Sequence, residues 1–443
     1  MSKVSLLGVL SCVATSVFGA AMVSDVEVRQ RWPWNTKVDI YYTISGAEKS
    51  VSVKPTLKCG DETIFSPEYV FSGERIWLEN GRHHLVWDPK DSVYAGRSLF
   101  PNLTVDLEVT SNPLYMIVDL EKPARSEGQV RYVSEDDLRA GMWGDWEENP
   151  YPGQLQSVIW TGVTTNSDYK QGKLVLRYIP ATTSQEWRDQ KGVTSFTMGA
   201  ASSVENASTT TDSSANAVCN VSKSRPQGTV TLTKGYWMGV FETTEYQWVL
   251  LLGSRPTKYQ LDGMQGPVHG YDWKYVRGSN YDGAKWPQVG HSVLGYSFMA
   301  KLRNRTGLQF DLPTEAQWEF AARAGAEGLR FGELETIAHC LKTDGPAIVG
   351  SYKPNAWGLY DVLGNVREGT LSAYNGAYVN ADFGTDPVGQ TLGDPYRTVR
   401  GGGWEDGAAA VNLHYRDQNS WSEAYDPNNR RFGEGFRICL PAE

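Results

Sequence analysis

A dense run of aromatic and short polar side chains lies near the C-terminal end of the 443-residue chain, between residues 404 and 425. Tryptophan and tyrosine rings supply large contact areas, and short amide, carboxylate and imidazole groups supply adaptable hydrogen bonds, so this mixture is typical of surfaces that recognise a ligand. A solvated polar loop has a similar composition and is the alternative. We predict ligand binding by Trp404, Glu405, Asp406, Asn412, His414, Tyr415, Asn419, Trp421 and Tyr425.

The cysteines and histidines do not form a pattern that predicts a metal centre. The chain has five cysteines and six histidines, and no two cysteines have the CxxC spacing of a zinc site. His414 and Asp406 form a candidate polar pair, but two side chains without a third ligand do not make a zinc-type site. The cysteines after residue 21 either pair in one of three ways or stay free thiols: Cys59, Cys219, Cys340 and Cys439.

The composition is that of a globular protein with an acidic balance. Charged residues make up 21% of the chain and hydrophobic residues 40%, and the net charge is −9. This charge argues against a nucleic-acid partner or an anionic membrane partner, because both attract basic proteins. The 16 tryptophans and 23 tyrosines predict either aromatic core packing in β-rich domains or an aromatic binding surface.

The first 21 residues have the pattern of a secretory signal peptide. Lys3 supplies a positive charge, the residues from Val4 to Val17 are mostly apolar or small, and Gly19-Ala20-Ala21 offers a cleavage site. No later apolar run is long enough to span a membrane. We therefore expect export to a periplasmic, cell-surface or extracellular location. A lipid anchor at Cys12 is the alternative use of the same segment.

The chain before residue 150 has the strand pattern of an all-β domain. β-branched and aromatic residues alternate with polar ones in short runs, for example at 103–109, and turn signals separate these runs. This spacing predicts a β-sandwich over residues 24–150. A segment rich in proline, glycine and acidic residues follows, and it predicts a linker over 151–169 and a second domain over 170–443.

Three helices can be placed in the second domain. Thr244 with Gln247, and Thr314 with Gln317, have the spacing of a capping box, in which each side chain bonds to the backbone of the other residue. These pairs predict helices that begin just after each threonine. Apolar residues on one face and basic residues at the end predict another helix over about 292–304.

Four motifs of this second domain occur together and in order, and they resemble the sulfatase-modifying-factor, or formylglycine-generating enzyme, family. They are Tyr236–Thr244, Leu312–Arg323, Trp357–Glu368, and Arg400–Trp404 with Arg416 and Gly435–Arg437. The resemblance implies a C-type-lectin-like fold with many loops. The predicted fold class is therefore α+β, with an all-β sandwich domain followed by a formylglycine-generating-enzyme-like domain.

The resemblance also implies what is missing from the site. Catalytic members of the family bind copper through two cysteines after the glycine-rich turn, and Asp406 and Val411 hold those places here. Cu(I) prefers soft thiolate ligands, whereas a carboxylate is hard and valine has no donor atom. Copper is therefore not expected, and no catalytic residue is assigned.

A structural calcium ion is the cofactor that the resemblance supports better. Family members hold Ca²⁺ with oxygen atoms around a turn that matches Gly364–Glu368 here. The resemblance implies Asn365 and Glu368 as side-chain ligands, with backbone carbonyl groups beside them. Arg367 and Gly369 depart from the family pattern, which has tryptophan at both places.

Taken together, the motifs predict an exported, non-catalytic protein that binds a protein or glycan ligand through its loop-rich C-terminal face. A formylglycine-generating oxidoreductase, or another metal-dependent oxidase of the family, is the alternative, and a bound redox metal would distinguish it. A third interpretation assigns attachment or assembly to the N-terminal sandwich. Nucleic-acid binding and a membrane span are not expected.

Overall fold

The structure is a computed structural model, in which two compact units can be recognised. The first unit contains Met1–Tyr115 and Lys122–Ala140, with Glu443, and the second contains Met116–Glu121 and Gly141–Ala442. The described residues are 14–15, 21–64, 71–91, 94, 96–97, 99–151, 157–202, 221–255, 261–271, 274–278, 293–374, 376–389, 396–420 and 433–441. Nearly all of the predicted signal segment therefore lies outside the described residues.

The first unit is built from antiparallel strands. Its strands are β1 (Ala14–Thr15), β2 (Met22–Gln30), β3 (Val38–Ser45), β4 (Ser52–Cys59), β5 (Glu62–Ile64), β6 (Phe71–Gly73), β7 (Gly81–Trp87) and β8 (Leu103–Thr110). One sheet has the order β1-β2-β3-β7-β6 and another has the order β5-β4-β8. Val38, Ile40, Tyr42 and Ile44 are buried at alternate positions of β3, as the period of a strand with one core-facing side requires.

Regular structure continues after β8. β9 (Pro113–Asp119) belongs partly to each unit, and β10 (Val130–Ser134) and the helix α1 (Glu135–Arg139) belong to the first unit. The predicted linker over 151–169 contains a strand at Val158–Trp160 and 3₁₀ turns that begin at Gly162 and Ser167, and its described residues belong to the second unit.

The second unit contains several small sheets. Its strands are β11 (Trp146–Glu148), β12 (Val158–Trp160), β13 (Lys173–Ile179), β14 (Phe196–Met198), β15 (Gly228–Thr231), β16 (Tyr236–Gly239), β17 (Arg367–Ala373), β18 (Gly384–Thr385), β19 (Tyr396–Arg400), β20 (Arg416–Ser420), β21 (Glu434–Gly435) and β22 (Cys439–Pro441). β13, β16 and β22 are neighbours in one antiparallel sheet. A second sheet has the order β20-β19-β17-β21, in which β21 runs parallel to β17. This second sheet contains residues of the candidate site described below: Arg367 and Glu368 in β17, Arg400 in β19 and Arg416 in β20.

The helices of the second unit are short. They are α2 (Gln185–Lys191), α3 (Glu245–Leu252), α4 (Lys274–Arg277), α5 (Phe298–Thr306), α6 (Glu315–Arg323) and α7 (Leu334–Ile337). Further 3₁₀ turns lie at Pro89–Asp91, Gly162–Thr164, Ser167–Lys170, Val221–Ser224, Asp262–Met264 and Asn380–Asp382. In the described residues no helix has both the length and the apolar character that a membrane crossing needs.

Two of the three predicted helices begin where the sequence placed them. Thr244 and Thr314 are the N-caps of α3 and α6, and both capping boxes are formed. The predicted start of α5 at about residue 292 is wrong, because the helix begins at Phe298 after the N-cap Ser297. The hydroxyl group of Ser297 accepts a hydrogen bond from the Ala300 amide, which fixes this later start.

The aromatic residues of the second unit form a packed core. Phe320 of α6 contacts Trp187, Phe196 and Trp357 in tilted or edge-to-face geometry, with ring centroids 4.8 to 5.1 Å apart. Eight tryptophans among the described residues are almost completely buried: Trp87, Trp160, Trp187, Trp237, Trp248, Trp318, Trp357 and Trp404. Core packing thus accounts for much of the aromatic content.

Candidate functional site

The glycine-rich turn after β19 determines where residue 406 lies. Gly401 and Gly402 have φ angles of +85° and +74°, a region that residues with a Cβ atom rarely adopt. A side chain at Gly402 would also come within 2.9 Å of the Ala410 carbonyl oxygen. The chain therefore folds tightly on itself here. The carbonyl group of Asp406 then accepts a hydrogen bond from the Leu341 amide at 3.0 Å.

Asp406 forms a two-pronged ion pair with Arg367. Arg367 Nε donates to Asp406 Oδ2 at 2.7 Å, and Arg367 Nη2 donates to Asp406 Oδ1. The Gly403 amide also donates to Oδ2, at 2.8 Å. Only 3% of the Asp406 side chain is exposed, so both carboxylate oxygens are used inside the protein. Arg367 and Asp406, which both depart from the family pattern, are thus partners in one ion pair.

Val411 fills the other position at which the family has a copper ligand. Its side chain is completely buried and belongs to the same core as Trp318 and Leu413. Cys439 lies in β22, where its backbone bonds to Asp311 in both directions. The residues at positions 406 and 411 therefore do not fit a Cu(I) ion, because neither offers a thiolate and the carboxylate is already paired.

The residues implied for calcium are also bonded to protein groups. Glu368 accepts hydrogen bonds from Trp318 Nε1 at 2.7 Å and from Arg437, whose Nε lies 2.7 Å away and whose Nη2 lies 2.5 Å away. Asn365 donates to Glu242 at 2.6 Å and accepts from the Ala347 amide at 2.9 Å. A guanidinium group already neutralises Glu368. Asn365 and Glu368 therefore do not fit a Ca²⁺ ion in this arrangement.

Across the part of the chain that the structure describes, no group of three or more histidine, cysteine, aspartate or glutamate side chains could hold a metal ion. The thiols of Cys59, Cys340 and Cys439 are free, and Cys219 lies outside the described residues. Cys340 directly precedes Leu341, whose amide bonds to the Asp406 carbonyl, and no sequence pattern predicts that Cys340 lies near Asp406.

The structure buries most of the predicted ligand-binding residues. Trp404 is fully buried against the His269 ring, with centroids 5.3 Å apart, and Tyr415 is buried as well. Asn412 is buried too, and its side chain bonds to the Ala409 carbonyl and the His414 amide. Glu405 is exposed. The backbone of Asn419 pairs with β19, and Trp421 and Tyr425 lie outside the described residues.

Two glutamates of α6 hold a buried charge network. Glu315 and Glu319 are four residues apart and therefore lie on one face of the helix. Arg416 donates to both oxygens of Glu315 at 2.8 and 2.9 Å. Arg400 bridges the two carboxylates, at 3.1 Å from Glu315 and 2.5 Å from Glu319. These bonds connect Arg400 of β19 and Arg416 of β20 to α6, so the network has a structural role.

Arg323 adds a third guanidinium group to this network by bonding to Glu319. Its Nε and Nη2 atoms donate to Glu319 Oε1 at 2.9 and 2.6 Å, and Nη2 also donates to His414 Nδ1 at 2.9 Å. Burial and the nearby Arg323 charge lower the pKa of His414 to about 4, although Glu319 opposes this shift. His414 is therefore neutral at pH 7, and its Nδ1 accepts a hydrogen bond from Arg323 Nη2.

Comparison with known proteins identifies the second unit. The family described as a sulfatase-modifying factor enzyme 1-like domain matches residues 190–441, which is more than half of the chain. The chain belongs to the sulfatase-modifying factor family. This confirms the resemblance that the four motifs carried. It also confirms the predicted α+β fold class, with an all-β region before the sulfatase-modifying-factor domain.

Similar proteins of several kinds share this domain. The chain is 34% identical to the serine/threonine-protein kinase pkn1 of Chlamydia pneumoniae over 31% of this chain and 22% of that protein. It is 30% identical to the formylglycine-generating enzyme of Streptomyces coelicolor, over 31% of this chain and 49% of that one. It is 32% identical to the inactive C-alpha-formylglycine-generating enzyme 2 of Mus musculus, over 30% and 43%. The matched regions thus span about a fifth to a half of these relatives.

Among solved structures, PvdO from Pseudomonas aeruginosa is similar over 60% of this chain and 94% of its own. The sequence identity is 19% and the TM-score is 0.45.

Proposed function

We propose that this sulfatase-modifying-factor protein is exported and non-catalytic, and that it binds a protein or glycan ligand through its C-terminal face. The observation that carries the proposal is the ion pair between Arg367 and Asp406, together with the buried Val411. A copper-dependent oxidase needs two soft ligands at 406 and 411. This chain has a paired carboxylate and an aliphatic side chain instead.

The ion pair supports a lasting loss of the copper chemistry rather than a dormant site. A metal at this place would have to separate Asp406 from Arg367 and leave a guanidinium group without its partner, and breaking a buried ion pair costs several kcal/mol. A relative in Mus musculus that is named an inactive formylglycine-generating enzyme supports the view that the family includes members without this activity.

The proposed binding face is the exposed part of the segment 404–425. Glu405 and Gln418 are exposed and Asp417 is half-buried, whereas the buried members of the predicted set hold the turn in place. Trp421 and Tyr425 lie outside the described residues, and the proposal includes them because aromatic side chains supply contact area to protein and glycan partners. Export follows, in this proposal, from the signal pattern of residues 1–21.

The catalytic part of the proposal is tested by incubating the copper-treated protein and oxygen with a peptide that carries a cysteine sulfatase motif. Mass spectrometry should show an unchanged thiol, while an active formylglycine-generating enzyme converts the same peptide. Metal analysis after desalting should show no retained copper. Conversion of the peptide by this chain would overturn the proposal.

The binding part is tested by screening the mature protein against a glycan array and against extracellular proteins. A variant with Glu405→Ala, Trp421→Ala and Tyr425→Ala should lose the binding that the wild-type protein shows. Met142→Ala removes an exposed apolar side chain elsewhere in the second unit and is the matched control. Equal binding by both variants would place the ligand on another surface.

A further inference from the structure

A cleft of about 530 Å³ lies in the second unit, beside α2, β14 and the C-terminal end of α6. Its volume is within the range of sites for small molecules, which is roughly 300–1,000 Å³. No sequence pattern predicts this cleft, because its lining comes from four separate stretches of the chain. His414, predicted as a ligand-binding residue, contributes to the lining of this cleft.

Aromatic side chains form the apolar part of the lining. Trp187, Phe196 and Phe320 contact one another with centroid distances of 4.8 and 4.9 Å between neighbouring rings. Each ring is almost completely buried, so the packing holds it in one orientation. Rigid aromatic walls of this kind favour a flat or aliphatic body in the ligand, because contact removes apolar surface from water.

Arg323 supplies a donor that the protein does not use. Its Nε and Nη2 atoms bond to Glu319 and His414, whereas Nη1 has no partner among the described residues. Arg323 lines the cleft although only 9% of its side chain is exposed. A buried guanidinium group with one free nitrogen is a strong site for an anion, because charge-assisted hydrogen bonds gain strength where water is excluded.

The charge balance around Arg323 also favours an anion. Arg323 and Arg400 both contact the carboxylate of Glu319, so two cations share this one anion. Arg416 is paired with Glu315 and also lies near Asp382. The neutral His414 ring does not change this balance. The ligand that the cleft fits therefore has one anionic group.

The lining of the cleft also contains a second cation, Lys191, and one acid, Glu327. Lys191 Nζ donates to the Gly325 carbonyl at 3.2 Å and lies 5.9 Å from the Trp187 ring centroid, which leaves further N–H groups for a ligand. Glu327 is exposed on the same lining and limits the negative charge that the cleft accepts. Gln227 adds a polar side chain beside them. These groups favour one carboxylate over a multiply charged phosphate.

We propose that this cleft binds a small organic acid, whose single carboxylate is held by Arg323 Nη1 and Lys191 and whose apolar body contacts Phe196, Phe320 and Trp187. The site goes beyond the function proposed above. Glu405 is not among the residues that line it, and the proposal does not depend on a ligand at the C-terminal face.

The probe for this proposal is phenylacetate, and 2-phenylacetamide is its matched neutral control. Titration calorimetry on the full mature chain, supported by saturation-transfer NMR, should show that the acid binds at least about tenfold more tightly than the amide, since a charge-assisted hydrogen bond is worth roughly 1.5–3 kcal/mol. Equal affinities, or no binding of phenylacetate, would overturn the proposal.

Two variants and one control test whether phenylacetate binds in the cleft. Lys191→Gln should weaken phenylacetate binding about five- to tenfold, and Lys301→Gln, which removes an exposed lysine of α5, should leave it unchanged. Arg323→Lys keeps a cation for Glu319 but removes the free Nη1, so it should weaken binding further. If Arg323→Lys fails to fold, the comparison of the two lysine variants decides. Equal effects of Lys191→Gln and Lys301→Gln would overturn the proposal.

Discussion

At the scale of single residues, two departures from the family pattern explain each other. Arg367 stands where a tryptophan is usual and Asp406 stands where a copper cysteine is usual, and the two side chains form one ion pair. The sequence showed each departure separately. It could not show the pairing, because the two positions are 39 residues apart and come together only when β17 pairs with β19, which the glycine-rich turn follows.

Removal of one partner of this pair is expected to destabilise the second unit. Asp406→Ala leaves Arg367 partly buried without a counter-charge, and we expect a loss of about 2–3 kcal/mol in the free energy of unfolding. The control is Asp106→Ala, which breaks the exposed pair with Lys58 and should cost less than about 1 kcal/mol. Denaturant titration, with a signal assigned to each unit, measures both.

A double-mutant cycle separates the pair from its surroundings. The variant with Arg367→Ala and Asp406→Ala should be less destabilised than the sum of the two single variants, because it leaves no unpaired charge. Strict additivity would show that the contact contributes nothing to stability.

The second prediction at this scale concerns pH and His414. Burial and Arg323 lower the pKa of His414 to about 4, below the ordinary value of 6.5. Its neutral form therefore stabilises the fold above pH 6.5, and this contribution is lost as the pH falls through about 4. His414→Gln cannot take up this proton. Its melting temperature should fall less steeply between pH 6.5 and pH 4 than that of the wild-type protein. Parallel curves would contradict the prediction.

A third prediction follows from the contacts of Glu368. Because Arg437 and Trp318 occupy its carboxylate, we expect Ca²⁺ and a chelator to give the same melting temperature within about one degree. Scanning calorimetry with about 5 mM of either additive, several thousandfold above a micromolar dissociation constant, checks this. A clear upward shift with Ca²⁺ but not with Mg²⁺ would restore the calcium site.

At the scale of elements, the helix α6 shows which features can be predicted from the sequence. Its N-cap Thr314 and its box partner Gln317 are three residues apart, and a local signal of that kind survives folding unchanged. The start of α5 was misplaced because apolar periodicity extends into the preceding turn, where Leu294 lies. The parallel pairing of β21 with β17 joins Arg367 to Glu434, and no local pattern predicts such a contact.

The cap of α6 should make a measurable contribution to stability. Thr314→Ala removes the acceptor for the Gln317 amide and should cost about 1 kcal/mol. Glu333, the N-cap of α7, forms no hydrogen bond through its side chain, so Glu333→Ala should change stability by less than about 0.5 kcal/mol. Chemical denaturation of both variants tests the difference, and equal effects would contradict the assigned role of the cap.

At the scale of the whole molecule, the sequence predicted an all-β region followed by a sulfatase-modifying-factor domain. The strand pattern and the four motifs sufficed for this, because each reports on contacts that are close along the chain. The cleft and the charge network could not be predicted in the same way. Glu319, Arg400 and His414 become neighbours only after the sheets and α6 have packed.

The reactivity of the free thiols tests how accessible the interior of each unit is to a reagent. Cys59 is half-buried in the first unit, whereas burial raises the pKa of both Cys340 and Cys439 in the second. Thiolate is the reactive form, so iodoacetamide at pH 8 should modify Cys59 first and Cys439 last. Peptide mapping of a time course gives the order. Early modification of Cys439 would show that β22 detaches easily.

The position of β22 has a consequence for the synthesis of the protein. β22 pairs with β16, which lies about two hundred residues earlier, and the guanidinium group of Arg437 neutralises Glu368 in the interior. A ribosome must therefore release almost all of the second unit before that unit can close. Until then Glu368 lacks its counter-ion and β16 has an open edge, so nascent or truncated chains that stop before residue 437 are the natural targets of chaperones and proteases.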